Sequence, residues 1–116
     1  METLTIYHNP RCSKSRSALA LLQERKVPLR IIEYLKEPPT RAELAALRKK
    51  LGLAPGDWIR KGESEYKTAG LDPQSPEDKV LDAMAKHPIL IERPIVVRGD
   101  RAIVGRPPER VLELLK

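Results

Sequence analysis

The spacing of three apolar runs at the start of the chain constrains the fold most. In LTIY, residues 4–7, Leu and Ile alternate with Thr and Tyr, which predicts a short strand. Ser15, Ala18, Leu19 and Leu22 recur at i, i+3, i+4 and i+7, which predicts a helix over about 13–25 with one inward face. Residues 29–34 carry Ile31 and Ile32 and predict a second strand. A strand, a helix and a strand in so short a span make a βαβ unit. Such a unit favours parallel pairing and a right-handed crossover.

The texture then changes. KEPPT breaks the chain and ends in Thr40, which with Glu43 three residues later spells a capping box for a helix over 41–51. Gly52 follows where a helix stop is expected. Residues 55–60 and 65–69 suggest short helical turns. Another helix is expected to run to about Lys86, with Ser75 as cap and Pro76 in its first position, burying Val80, Leu81 and Met84. Residues 95–97 and 102–104 then read as strands around Arg98-Gly99-Asp100-Arg101, where Gly-Asp signals a hairpin. A last helix is expected over 109–115. The expected architecture is a single α/β domain over 1–116, ordered β-α-β, helical insert at about 36–91, then β-β-α.

No run approaches the roughly 18 to 20 apolar residues of a membrane span. The opening METLTIYHNPRC shows neither the apolar core nor the cleavage site of a secretion signal, so a cytoplasmic protein is expected. Lys and Arg number 22 against 16 Asp and Glu, a net charge of +6 that suits a small oxyanion, a nucleic acid or an acidic protein surface. Aromatics are confined to Tyr7, Tyr34, Tyr66 and Trp58, too few for a stacking surface, so nucleic acid is not expected as a partner. His8, His87 and Cys12 are too scattered for a metal site. A monomer with no bound cofactor is expected.

The one cysteine sits in HNPRCSKSR, residues 8–16, between the first strand and the first helix. A thiol is a nucleophile only as thiolate, and three features of this loop favour that form. A helix N-terminus directs amide N–H groups and positive potential at Cys12. His8 is able to carry charge or donate a hydrogen bond. Arg11, Lys14 and Arg16 add positive field, and the hydroxyls of Ser13 and Ser15 are able to donate to sulfur or to an anion. The same exposed amides suit a tetrahedral oxyanion. Arg60, Arg93 and Arg106 each stand beside apolar sequence, where a guanidinium must find a partner or reach water. With no second cysteine, any redox cycle begun at Cys12 must take its other thiol from another molecule.

YHNPRCSKSR, ERPIVV at 92–97 and GRPPE at 105–109 together resemble the glutaredoxin-coupled arsenate reductase family, its arsenate-reductase-like branch in particular. The resemblance extends over nearly the whole chain, through PPTRAEL at 38–44 and KHPIL. It implies a thioredoxin-like fold with a mixed sheet and a helical insert. It implies that Cys12 is the nucleophile, that His8 tunes it with Ser15 and Arg16 in the same catalytic loop, and that Arg60, Arg93 and Arg106 bind arsenate. Pro94 matches the cis-proline that faces the active cysteine in thioredoxin-like folds. Arsenate or a similar small oxyanion is then the substrate, glutathione the co-substrate and glutaredoxin the partner. Two other readings stay open. One is a regulator of the Spx type, which binds RNA polymerase and usually carries a CxxC switch; here Ser15 occupies the second position of that pair. The other is a glutathione-linked thiol oxidoreductase with a different substrate, since RCSKSR stands where arsenic-resistance reductases have ACGTSR.

Overall fold

A computed structural model of the chain describes residues 2–116. The strand–helix–strand opening is present as β1 (Leu4–His8), α1 (Ser13–Glu24) and β2 (Leu29–Glu33). β1 and β2 pair in parallel, with Leu4 opposite Leu29 and His8 opposite Glu33. Leu4 and Ile6 lie fully inside, and α1 covers them with Ser15, Ala18 and Leu22. Val27, Val96, Val111 and Leu114 complete this core. Burying a side chain such as Leu22 contributes about 1.5–3 kcal/mol, which is why the apolar spacing holds α1 to the sheet.

The hairpin follows as β3 (Ile95–Arg98) and β4 (Arg101–Val104), with Arg98 opposite Arg101 and Ile95 opposite Val104. Gly99 supplies a positive φ of 59° at the first position of the two-residue turn, the conformation a tight hairpin asks of that residue. β3 also pairs antiparallel with β1, so the sheet is mixed, in the order β2-β1-β3-β4. The helix expected over 109–115 winds instead as a 3₁₀ helix, Pro108–Leu115. Its buried residues, Val111 and Leu114, are three apart and so align at three residues per turn.

The chain divides into two compact units, one running through Glu37 and resuming over Arg93–Lys116, the other Pro38–Glu92. The second unit is helical: α2 (Arg41–Leu51), α3 (Ser64–Thr68) and α4 (Glu77–Lys86). α2 begins at the expected capping box, in which the Glu43 amide donates to Thr40 Oγ1 at 3.1 Å and the Thr40 amide to Glu43 Oε1 at 2.9 Å. It ends at Gly52, whose φ of 68° is left-handed. α4 buries Val80, Leu81 and Met84 as expected but is not capped as expected. Pro76 is itself the N-cap, and the Ser75 hydroxyl instead accepts from the Asp72 amide at 2.9 Å, so a preceding turn takes the group that would have capped the helix. Among the described residues, no helix is long and apolar enough to cross a membrane.

Candidate active site

The loop after β1 is folded by its own polar groups. The Cys12 amide donates to Asn9 O at 3.0 Å, closing a turn, and the Arg11 amide donates to Asn9 Oδ1 at 3.0 Å. Arg16 Nη1 reaches back to Pro10 O at 2.9 Å. The first amide of the helical ladder, that of Arg16, donates to Cys12 O at 3.0 Å, which makes Cys12 the N-cap of α1. Its sulfur therefore stands before the open N-terminal amides of the helix.

Burial pushes the Cys12 thiol up. The Ser15 amide, the Arg93 guanidinium and the Lys14 amide favour the thiolate and outweigh it, so the thiol ionises below its ordinary range. Cys12 remains partly open to solvent. Arg106 adds a second guanidinium, with Nη2 at 3.7 Å from Sγ, and its Nε donates to Arg93 O at 2.8 Å. Both arginines are thereby fixed to one another and to the sulfur. The Arg93–Pro94 bond is cis, the isomer that the family resemblance implies.

His8 and Ser15 are paired with one another. The Ser15 hydroxyl is turned inward: the residue is fully buried, sharing a 2.6 Å hydrogen bond with His8 Nδ1 and accepting from the Asn9 amide at 3.0 Å. It is the Ser15 backbone, not its side chain, that serves the sulfur. Burial lowers the His8 pKa, Glu33 opposes that, and Arg16 adds to it, so the net shift is downward and the ring is neutral at pH 7. His8 thus holds the loop through Ser15 rather than presenting a charge. Arg16 likewise spends a guanidinium nitrogen on Pro10 O.

Arg60 belongs to the helical unit. It was expected at a helix end, but it lies in an extended stretch in which Ile59 pairs with Ile91, the Arg60 amide donates to Leu90 O at 2.7 Å and the Glu92 amide to Trp58 O at 3.1 Å. Its guanidinium is paired with Glu92 at 3.2 Å and Glu63 at 3.3 Å.

Two site residues escaped the sequence reading. Asn9 shapes the turn, and a polar residue before Pro10 was a signal for it. Tyr34 is fully buried and acts electrostatically on Arg93. Burial lowers the Arg93 pKa, but Tyr34 and then Cys12 raise it further, so this guanidinium stays firmly cationic. Tyr34 directly follows β2, as NPRC follows β1, so both stand at the carboxyl ends of parallel strands, where open α/β sheets gather their sites.

A thiolate-favouring cysteine at the head of the first helix, with a cis-proline leading into the β3–β4 hairpin, defines a thioredoxin-like thiol protein with one cysteine. The model of the ArsC family matches residues 7–114, and the chain belongs to that family. It is similar to an arsenate reductase of Neisseria meningitidis serogroup A, 46% identical across 99% of this chain and 100% of the relative. It is also similar to an arsenate reductase of Escherichia coli K12, 41% identical across 99% of this chain and 82% of the relative. A solved structure named arsenate reductase from Vibrio cholerae superposes with a TM-score of 0.92 at 47% identity, covering 97% of each chain. The expected thioredoxin-like α/β fold with a mixed sheet is borne out.

Proposed function

We propose that this protein reduces arsenate to arsenite, with Cys12 as nucleophile and glutathione and glutaredoxin as the source of electrons. One observation carries the reading: the Cys12 sulfur shares its surroundings with two helix amides and the guanidinium groups of Arg93 and Arg106. Such a set serves a thiolate and a tetrahedral oxyanion at once. The names of the full-length relatives support the same substrate.

The chemistry balances with one cysteine. The Cys12 thiolate attacks arsenic, an As–O bond breaks, and the oxygen leaves as water after taking up two protons. The arginines offset the charge on the remaining oxygens. A glutathione thiol then displaces a second hydroxyl, again as water, so arsenic bears two sulfurs. A glutaredoxin thiolate attacks the glutathione sulfur; an S–S bond forms, the S–As bond breaks, and its electron pair stays on arsenic, which passes from As(V) to As(III). Water cleaves the Cys12–arsenic bond, arsenite departs, and the thiolate returns. Two external thiols have given two electrons. Arg60 is assigned to the oxyanion on the family motif IRKGE, and holding it is work that Glu63 and Glu92 do within their unit.

The test is arsenate reduction with glutathione and glutaredoxin supplied together and singly. Turnover should require both, and C12S should abolish it with the melting temperature unchanged. Measurable turnover by a folded C12S protein would overturn the nucleophile assignment. Turnover of other oxyanions but not arsenate would leave a glutathione-linked oxidoreductase of different substrate.

A further inference from the structure

The β3–β4 register runs Arg98 opposite Arg101 through Ile95 opposite Val104. Continued beyond the strands, the same register sets Pro94 opposite Gly105 and Arg93 opposite Arg106. The backbone follows it: the Gly105 amide donates to Pro94 O at 2.9 Å. Gly105 also centres a three-residue turn, in which the Arg106 amide donates to Val104 O at 3.0 Å, ending β4 and directing the chain back toward Cys12.

Gly105 does not owe its identity to a left-handed backbone, since positive φ among glycines is found at Gly52, Gly70 and Gly99. Space is the constraint. A Cβ at this position would lie 2.8 Å from Pro94 Cγ and 2.8 Å from Val111 Cγ1. Neither neighbour is a flexible side-chain tip. The proline ring is tied to the backbone that carries Arg93, and Val111 is fully buried in the core. A methyl group here must push on one or both. Movement of Pro94 shifts Arg93, and movement of the turn shifts Arg106, whose Nε holds Arg93 O at 2.8 Å.

We propose that Gly105 is a positioning residue whose missing side chain lets the Pro94 and Arg106 segments close together, so that Arg93 and Arg106 both reach the Cys12 sulfur. The inference deepens the proposed oxyanion and thiolate site and rests on it, but its readout needs no substrate. The full chain is therefore examined by the rate of Cys12 alkylation with iodoacetamide as a function of pH. G105A should shift the curve to higher pH and slow alkylation about threefold to tenfold below the midpoint, as expected for partial loss of cationic stabilisation of a thiolate. V111A is the control for simple destabilisation: it thins the same core without touching the arginines and should leave the curve in place. If G105A does not fold, the double variant G105A/V111A removes the clash with Val111 and keeps that with Pro94, and its curve should be shifted relative to V111A. A G105A curve superimposing on the wild type, or a double-variant curve superimposing on V111A, would overturn the proposal. Failure of arsenate reduction together with a shifted alkylation curve would count against the substrate reading and leave the positioning role standing.

Discussion

Replacing Arg106 by alanine should make Cys12 a slower nucleophile in a protein that still folds. Arg106 Nη2 stands 3.7 Å from Sγ. Two unit charges at that separation interact by about 1.1 kcal/mol at the dielectric of water and by about 4.5 kcal/mol at an effective value near 20. Cys12 is partly open to solvent, and the arginine charge is spread over its guanidinium, so the lower figure is the appropriate one. About 1.1 kcal/mol is about a sixfold change in thiolate fraction below the midpoint, since 1.36 kcal/mol corresponds to a factor of ten. Loss of the Arg106 Nε bond to Arg93 O acts in the same direction by loosening the other guanidinium. The assay is the alkylation rate from acid to alkaline pH. The R106A midpoint should rise, the rate on the acid side should fall by at most about sixfold, and the alkaline plateau, where every molecule is thiolate, should not fall, because a thiolate of higher pKa is intrinsically the better nucleophile. R106K should fall between the two, because an ammonium keeps the charge but cannot serve both Arg93 O and the sulfur with a planar fork. An R106A curve lying on the wild-type curve would refute the claim that this guanidinium acts on the thiolate.

Y34F should retain the fold and raise the alkylation midpoint as the support of Tyr34 for the Arg93 charge is lost, whereas an unmoved midpoint would limit Tyr34 to packing. His8 predicts an acid sensitivity: its folded pKa lies below the ordinary value of 6.5, so the unfolded chain binds the proton first. The contribution of the neutral ring to stability is complete above about pH 6.5 and is lost as pH falls from there toward the folded value. Urea midpoints measured across that window should fall more steeply for the wild type than for H8N, and parallel profiles would refute the assignment.

Elements encoded by neighbouring residues were legible in the chain. The capping box at Thr40 and Glu43, the stop at Gly52 and the inward face of α1 all depend on contacts within a few residues, and each is where the sequence puts it. Ser75 misled because two local structures compete for one hydroxyl, and the Asp72 turn wins it. Ser15 misled for a different reason. Its spacing correctly placed it inward, but the direction of its hydroxyl depends on His8, which only the packing of α1 on β1 brings within 2.6 Å. Tyr34 was illegible because its partner, Arg93, is distant in sequence and joins it through the order of the sheet.

The meeting of Arg93 with Arg106 belongs to neither group, for it is long-range in effect yet set by a local signal. The two-residue turn Gly99-Asp100 pairs Arg98 with Arg101. Counting outward from that pair, each step takes one residue from either side, and five steps reach Arg93 and Arg106. A slip of one residue in the hairpin would exchange the faces of every side chain along β4. It would also set Pro94 against a residue with a Cβ, where the structure has room only for glycine. The charge that stabilises the Cys12 thiolate therefore depends on the turn at Gly99-Asp100, which makes no contact with the sulfur. ERPIVV, the RGD turn and GRPPE are in this sense one device: the turn sets the count, the glycine permits the approach, and the two arginines arrive together.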